Sequence, residues 1–268
     1  MKIDEYRQAL SAMLRSAGAA DRLEAYLLEH SNLPGPRGNL ELAQALAGEL
    51  AAAPGPTWLW ASLGAWSEIS AAEAPTGDRR EYLPFCATVA FGALYRREAR
   101  RRPWILGRLR SAANDPRWRM REAAAMALQK IGEAQGEELL TILARWLERP
   151  TLLEQRAVAA ALAHPPILAD EGLARAGLGM IERILADVVR QEPEARRSGE
   201  FRVLRQGLGY ALSVLVAALP EEGLEVLERW ARCGDPDLAW VVRENLKKKR
   251  LAAFGPRLER VRAALGGG

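Results

Sequence analysis

Two cysteines, two histidines and an aromatic share of 6% leave this chain of 268 residues few groups for metal, redox or covalent chemistry. Cys86 and Cys233 are too few and too far apart for a disulfide framework. They are expected to be buried small apolar residues of a reducing cytoplasm. His30 and His164 have no cysteine or carboxylate at ligand spacing, so no metal site is expected. His164, before Pro165-Pro166, reads as a helix-end residue. There is no Gly-x-Ser-x-Gly elbow and no P-loop. Gly177-x-Gly179 and Gly207-x-Gly209 lie in helical patterns without a preceding strand, which predicts close helix packing, not phosphate cradles. The expectation is no catalytic residue, no cofactor and no metal. No apolar run approaches the roughly 18 to 20 residues that span a bilayer. The stretch behind Met1-Lys2-Ile3 has no apolar core, so a signal peptide is not expected.

What is present is helix. Apolar residues make up 49% and charged residues 27%, and the apolar share leans on Ala and Leu. These cost least in a helix, whereas strands favour β-branched and aromatic residues. Met120, Ala124, Ala127, Leu128 and Ile131 fall on one helical face, and so do Leu204, Leu208, Ala211 and Leu215. Leu139, Leu143 and Trp146 repeat the spacing. Each such stripe needs a neighbouring helix. The Ala-, Arg-, Gly- and Pro-rich composition also fits a bacterial cytoplasmic protein.

Breaks recur between these stretches. Leu33-Pro34-Gly35-Pro36-Arg37-Gly38, Pro54-Gly55-Pro56, Ala74-Pro75-Thr76-Gly77-Asp78, Asn114-Asp115-Pro116, His164-Pro165-Pro166, Pro220 and Gly234-Asp235-Pro236 divide the chain. Thr57 is the predicted N-cap of the helix that begins at Trp58. Residues 190–199 read as the longest loop, and Gly266-Gly267-Gly268 as a frayed end. Short turns between helices suit antiparallel hairpins.

A repeat emerges when the second helix of each hairpin is aligned on an early arginine. Arg121, Arg156, Arg205 and Arg243 then fall in one row, separated by 35, 49 and 38 residues. Repeats of the HEAT and armadillo class recur every ~40–47 residues. The reading is all-α: an α-α superhelix, a HEAT-like repeat solenoid forming one domain over 1–268. It has divergent helical hairpins over 1–80 and HEAT-like repeats over 81–262, with the second helices lining a concave surface.

The segment Asp115-Pro116-x4-Arg121-Glu122-Ala123-Ala124-x3-Leu128-x2-Ile131-Gly132 resembles a HEAT repeat. Residues of about 80–250 are similar to the HEAT-like DNA alkylation repair glycosylases. Trp118 with Arg121 matches that family's Trp-x2-Arg repeat. Phe201-x3-Arg205-Gln206-Gly207-Leu208-Gly209-Tyr210-Ala211-Leu212, with Pro220 after it, is similar to its Phe-Ile-Arg-Lys-Ala-Ile-Gly-Trp-Ala-Leu-Arg helix. The resemblance implies an alkylated-base DNA glycosylase with a groove of aromatic residues and a carboxylate, including a Trp-x3-Asp pair. The stretch from Arg80 to Phe91, where that pair is expected, lacks it. Tyr210 stands where the family has Trp, and Ser213 where it has Arg. Trp118/Glu122 and Trp240/Glu244 have the i, i+4 spacing out of register, and packing of each Trp in a hairpin seam accounts for them more simply.

Charge is sorted along the chain. The net is +4, yet Arg96–Arg121 carries +8 and Arg243–Arg262 carries +6, leaving the remainder at −10. A basic face of this kind fits phosphate or another acidic partner. Arg96, Arg97, Arg100, Arg101, Arg102, Arg117, Arg205, Tyr210, Lys247 and Lys248 are the candidates for contact with nucleic acid or an acidic protein; Lys249 and Arg250 complete the second cluster. Asp115, Arg121, Arg156 and Arg243 are assigned to a structural ladder, because Asp115 and Arg121 have the spacing of the ladder that ties HEAT repeats together. Three functions remain open: a non-catalytic scaffold for a protein or polyanion, a DNA-binding relative of the glycosylases, and a relative of the HEAT-like bilin lyases, for which no chromophore site is visible in the sequence.

Overall fold

The computed structural model describes residues 3–53 and 55–266. The break expected at Pro54 and the frayed end expected at Gly267 and Gly268 lie outside the described residues. The described residues form sixteen α-helices and no strand, the fold of an all-α helical repeat protein. Their contacts fall into two compact units, Met1–Ala134 and Gln135–Gly268.

The first unit contains α1 (Ile3–Leu14), α2 (Ala20–Glu29), α3 (Leu40–Ala52), α4 (Thr57–Glu68), α5 (Tyr82–Leu94), α6 (Arg102–Ala113) and α7 (Trp118–Ala134). Helices α1, α3, α5 and α7 pack side by side in that order, with α4 and α6 laid against α5 and α7. This explains the composition of α5, where twelve of thirteen residues are buried. A helix with neighbours on every side is apolar all round instead of on one stripe. Gly92 sets the spacing between α5 and α7, since a Cβ there would lie 2.4 Å from the Ala127 carbonyl oxygen.

The second unit contains α8 (Gly136–Trp146), α9 (Leu152–Leu162), α10 (Pro165–Leu168), α11 (Glu171–Val189), α12 (Pro193–Arg196), α13 (Gly199–Ala218), α14 (Pro220–Ala231), α15 (Pro236–Leu246) and α16 (Gly255–Gly266). Here α9, α13 and α15 form one row, while α8, α11 and α14 supply the other members of the hairpins. The starts follow from side-chain caps. Thr151 and Glu154 form a capping box on α9, Asp170 caps α11, Ser198 caps α13 and Asp235 caps α15. Gly223 lets α14 reach α13, where a Cβ would meet Val216 Cα at 2.7 Å.

Several local expectations are corrected. Thr57 is the first residue of α4, and Pro56 occupies its N-cap. The stretch 190–199 is interrupted by α12, which places Arg196 for the contacts described below. Gly177, Gly207 and Gly209 face neighbouring side chains at 3.1–3.2 Å, but Gly179 faces open space. Cys86 is buried, and burial pushes its thiol pKa up, whereas Cys233 is exposed.

Candidate polyanion interface

The basic residues separate into those held inside the fold and those left at its surface. Arg117 belongs to the first group, against its expected role in contacting a partner. Its side chain is buried, with Nε 2.9 Å and Nη2 2.7 Å from the Asp115 carboxylate. The same guanidinium donates to the carbonyls of Ile69, Ser70 and Ala74 just beyond α4. A guanidinium whose donors are already taken by a carboxylate and three carbonyls has none left for phosphate. The Asp115 carboxylate is therefore held by Arg117. Arg121 bonds the carbonyls of Asp115 and Pro116 at 2.8 and 2.9 Å.

Beside it, Arg119 reaches inward to Glu81 at 3.0 Å and to the Gly35 carbonyl at 2.6 Å. Glu81 is wholly buried, and its second contact is the Gly77 amide. Arg119 also lies over the Trp118 ring at 4.5 Å. Trp118 is thus not packed in a seam: it stays exposed and lines a cleft of about 390 Å³ with Tyr82, Phe85 and Glu122.

In the second unit the half-buried aspartates Asp235 and Asp237 are held by Arg196 and Arg205. Arg196 bridges Asp235 at 2.7 Å and Asp237 at 2.9 Å, and also takes the carbonyls of Val188 and Val189 at the end of α11. Burial raises the Asp235 pKa, but the Arg196 hydrogen bond and the backbone amides of α15 outweigh it and leave that carboxyl below its usual range. Arg205 pairs with Asp237 at 2.5 Å and lies 4.6 Å over Trp240, so it too is engaged within the fold. Arg156 packs over Gly207 in the next helix of its row, and Arg243 is exposed.

At the surface of the second unit, Tyr210 is 47% exposed; its hydroxyl accepts from Arg250 at 2.9 Å, and Arg250 and Lys248 lie over its ring. Lys247 is paired with Glu244, whose carboxyl that contact holds below the ordinary range.

The first unit carries a different surface. The C-terminal ends of α3, α5 and α7 and the start of α1 enclose a cleft of about 560 Å³. Its lining is small along Ala47, Gly48, Ala51 and Ala93, and cationic at Arg7, Arg96, Arg97 and Lys130. Among the described residues Glu133 is the one acidic residue lining it, and it is bound to Lys130 at 2.8 Å. Helix C-termini bear about half a negative charge each, and three of them offset only part of four cations. Arg97 satisfies one such end, donating to the Ala52 carbonyl at 3.1 Å. Arg7 and Arg96 make no ion pair with another described residue. Of the remaining candidates, Arg100 is exposed, Arg101 lies over Trp60 at 4.5 Å, and Arg102 is half-buried against the carbonyls of Tyr95 and Arg96.

Arg7, Lys130 and Arg196 were not marked by the sequence. Their neighbours in space come from distant helices, and nothing local distinguishes them from other solvated cations.

Among the described residues no group of histidine, cysteine and carboxylate side chains is placed to hold a metal, and no helix is long and apolar enough to cross a membrane. The class defined is an all-α helical repeat protein, compatible with the HEAT-like kind. In comparisons with known proteins, no family model, no curated protein and no solved structure matches this chain.

Proposed function

We propose that this chain is a non-catalytic HEAT-like scaffold that holds a polyanionic partner through the cleft of its first unit. The observation that carries the reading is the convergence of Arg7, Arg96, Arg97 and Lys130 over a floor of Ala and Gly. Cations gathered this closely repel one another, so an acidic occupant stabilises them. The small floor permits close approach of a backbone. Equilibrium binding of the full chain to polyglutamate and to DNA tests it. With about four anionic groups engaged, affinity for DNA is expected to fall on the order of 100-fold between 50 and 200 mM salt. Replacing Arg96 and Arg97 together with Ala should remove much of that dependence. Affinity unaffected by salt and by both replacements contradicts the reading.

The second reading is a DNA-binding relative of the alkylated-base glycosylases. Its support is the Phe201–Leu212 helix, where exposed Tyr210 stands at the family's Trp position and carries Arg250 over its ring. Against base excision stands the missing Trp-x3-Asp. Release of an alkylated base from duplex DNA by the purified chain would overturn the non-catalytic assignment.

A further inference from the structure

The first unit also carries an aromatic cluster of Trp60, Phe91 and Trp104. Trp104, at the start of α6, is 42% exposed. Its ring is set edge-on to Phe91, with centroids 5.0 Å apart and planes at 81°. It is also edge-on to Trp60 at 6.5 Å and 70°. Phe91 is fully buried and Trp60 stacks on it at 6.3 Å, so two anchored rings fix the orientation of the third. Aromatic pairs prefer this edge-to-face geometry, which makes the exposed ring a rigid surface and not a mobile one.

Cations flank it. Arg101 lies 4.5 Å over Trp60, with its ion pair to Glu98 at a loose 3.5 Å, and Arg100 is exposed beside it. Arg97, which lines the cleft, is four residues before Arg101. Their Cα atoms are therefore within about 14 Å of each other. One chain connection thus joins the aromatic platform and Arg101 to Arg97, which lines a groove with a small-residue floor.

We infer that this face binds single-stranded nucleic acid, with a base stacked on Trp104 and the phosphates following Arg101, Arg100 and Arg97 into the cleft. Nonspecific single-strand binding sites combine these two elements, a cationic track and an aromatic side chain on which a base stacks. A duplex satisfies the arginines but keeps its bases inside the stack, out of reach of the ring. An acidic peptide also satisfies the arginines and leaves Trp104 unused. The single strand is the polyanion that employs both.

The inference rests on the polyanion reading of the cleft, and one experiment separates them. A fluorescein-labelled 12-mer oligothymidylate, a duplex of the same length and polyglutamate are titrated against the full chain at fixed salt. Each is repeated with Trp104→Ala and Trp104→Phe. Trp104→Ala is expected to weaken oligothymidylate binding about 5- to 150-fold, the range seen for loss of one stacked base. Trp104→Phe keeps a ring to stack on and should stay within a few-fold of the parent. Polyglutamate binding should be unchanged in both. Oligothymidylate bound equally by parent and Trp104→Ala overturns the inference, and so does equal weakening of all three ligands. Polyglutamate bound without oligothymidylate sinks the inference alone and identifies an acidic protein as the partner. Failure to bind any of the three sinks the cleft reading with it.

Discussion

In the first unit Arg117 and Arg119, at the start of α7, reach inward, one to carbonyls beyond α4 and the other to the buried Glu81. In the second unit the matching work falls to Arg196, from the short α12, and to Arg205, and both keep part of their side chains in solvent. The two units also differ outside. Around the second, Arg175 meets Glu171 and Glu222, Arg229 meets Glu182 and Arg257 meets Glu221. Around the cleft of the first, Arg7 and Arg96 have no acidic partner among the described residues. Arginine content alone therefore says little about a binding face. What matters is where the carboxylates are, because each one within reach takes a guanidinium out of play.

The sharpest way to break this contrast is to remove one carboxylate from each unit. Glu81→Ala leaves Arg119 buried without its counter-charge and should cost about 3–5 kcal/mol. The penalty is large because the buried guanidinium is then left with only the Gly35 carbonyl and the Trp118 ring, neither of which carries a counter-charge. Asp237→Ala releases Arg205, which water can partly solvate, while Arg196 keeps Asp235 and two carbonyls, and should cost under about 2 kcal/mol. Urea unfolding of both variants checks the difference, and equal losses would erase the distinction between the two anchoring schemes.

A smaller effect concerns what the units share. Gly92→Ala drives a methyl group into the Ala127 backbone, which cannot swing aside as a side chain could, and should cost about 1–3 kcal/mol. Gly179→Ala places the same methyl in open space within α11 and should stabilise by up to about 1 kcal/mol. Thermal melts that move the same way for both would show that the close approach of α5 to α7 is not set by Gly92.

The helices were legible because their stripes and caps are local. Asp235-Pro236 and Pro220 each announce a start within four residues. The pairing of helices was legible only where a repeat could be aligned, as with Arg156, Arg205 and Arg243. The ladder was half legible. The spacing pairs Asp115 with Arg121, but Arg117 holds the Asp115 carboxylate, a choice of geometry that spacing does not specify. Arg196 lay in what reads as a loop, because a four-residue helix has too few positions to show a period. The cleft was the least legible of all, since Arg7 and Lys130 come from opposite ends of the first unit's sequence.

The central claim, that the first unit's unpaired arginines are the binding face, is tested most directly by comparing two charge removals in the full chain. One variant replaces Arg7, Arg96 and Arg97 with Ala, and the other replaces Lys247, Lys248 and Arg250. The salt dependence of polyanion binding is then measured by fluorescence anisotropy. The first variant should lose about 0.7–0.9 from the log–log slope per cation removed, while the second stays near the parent. A slope that collapses only in the second variant contradicts the account.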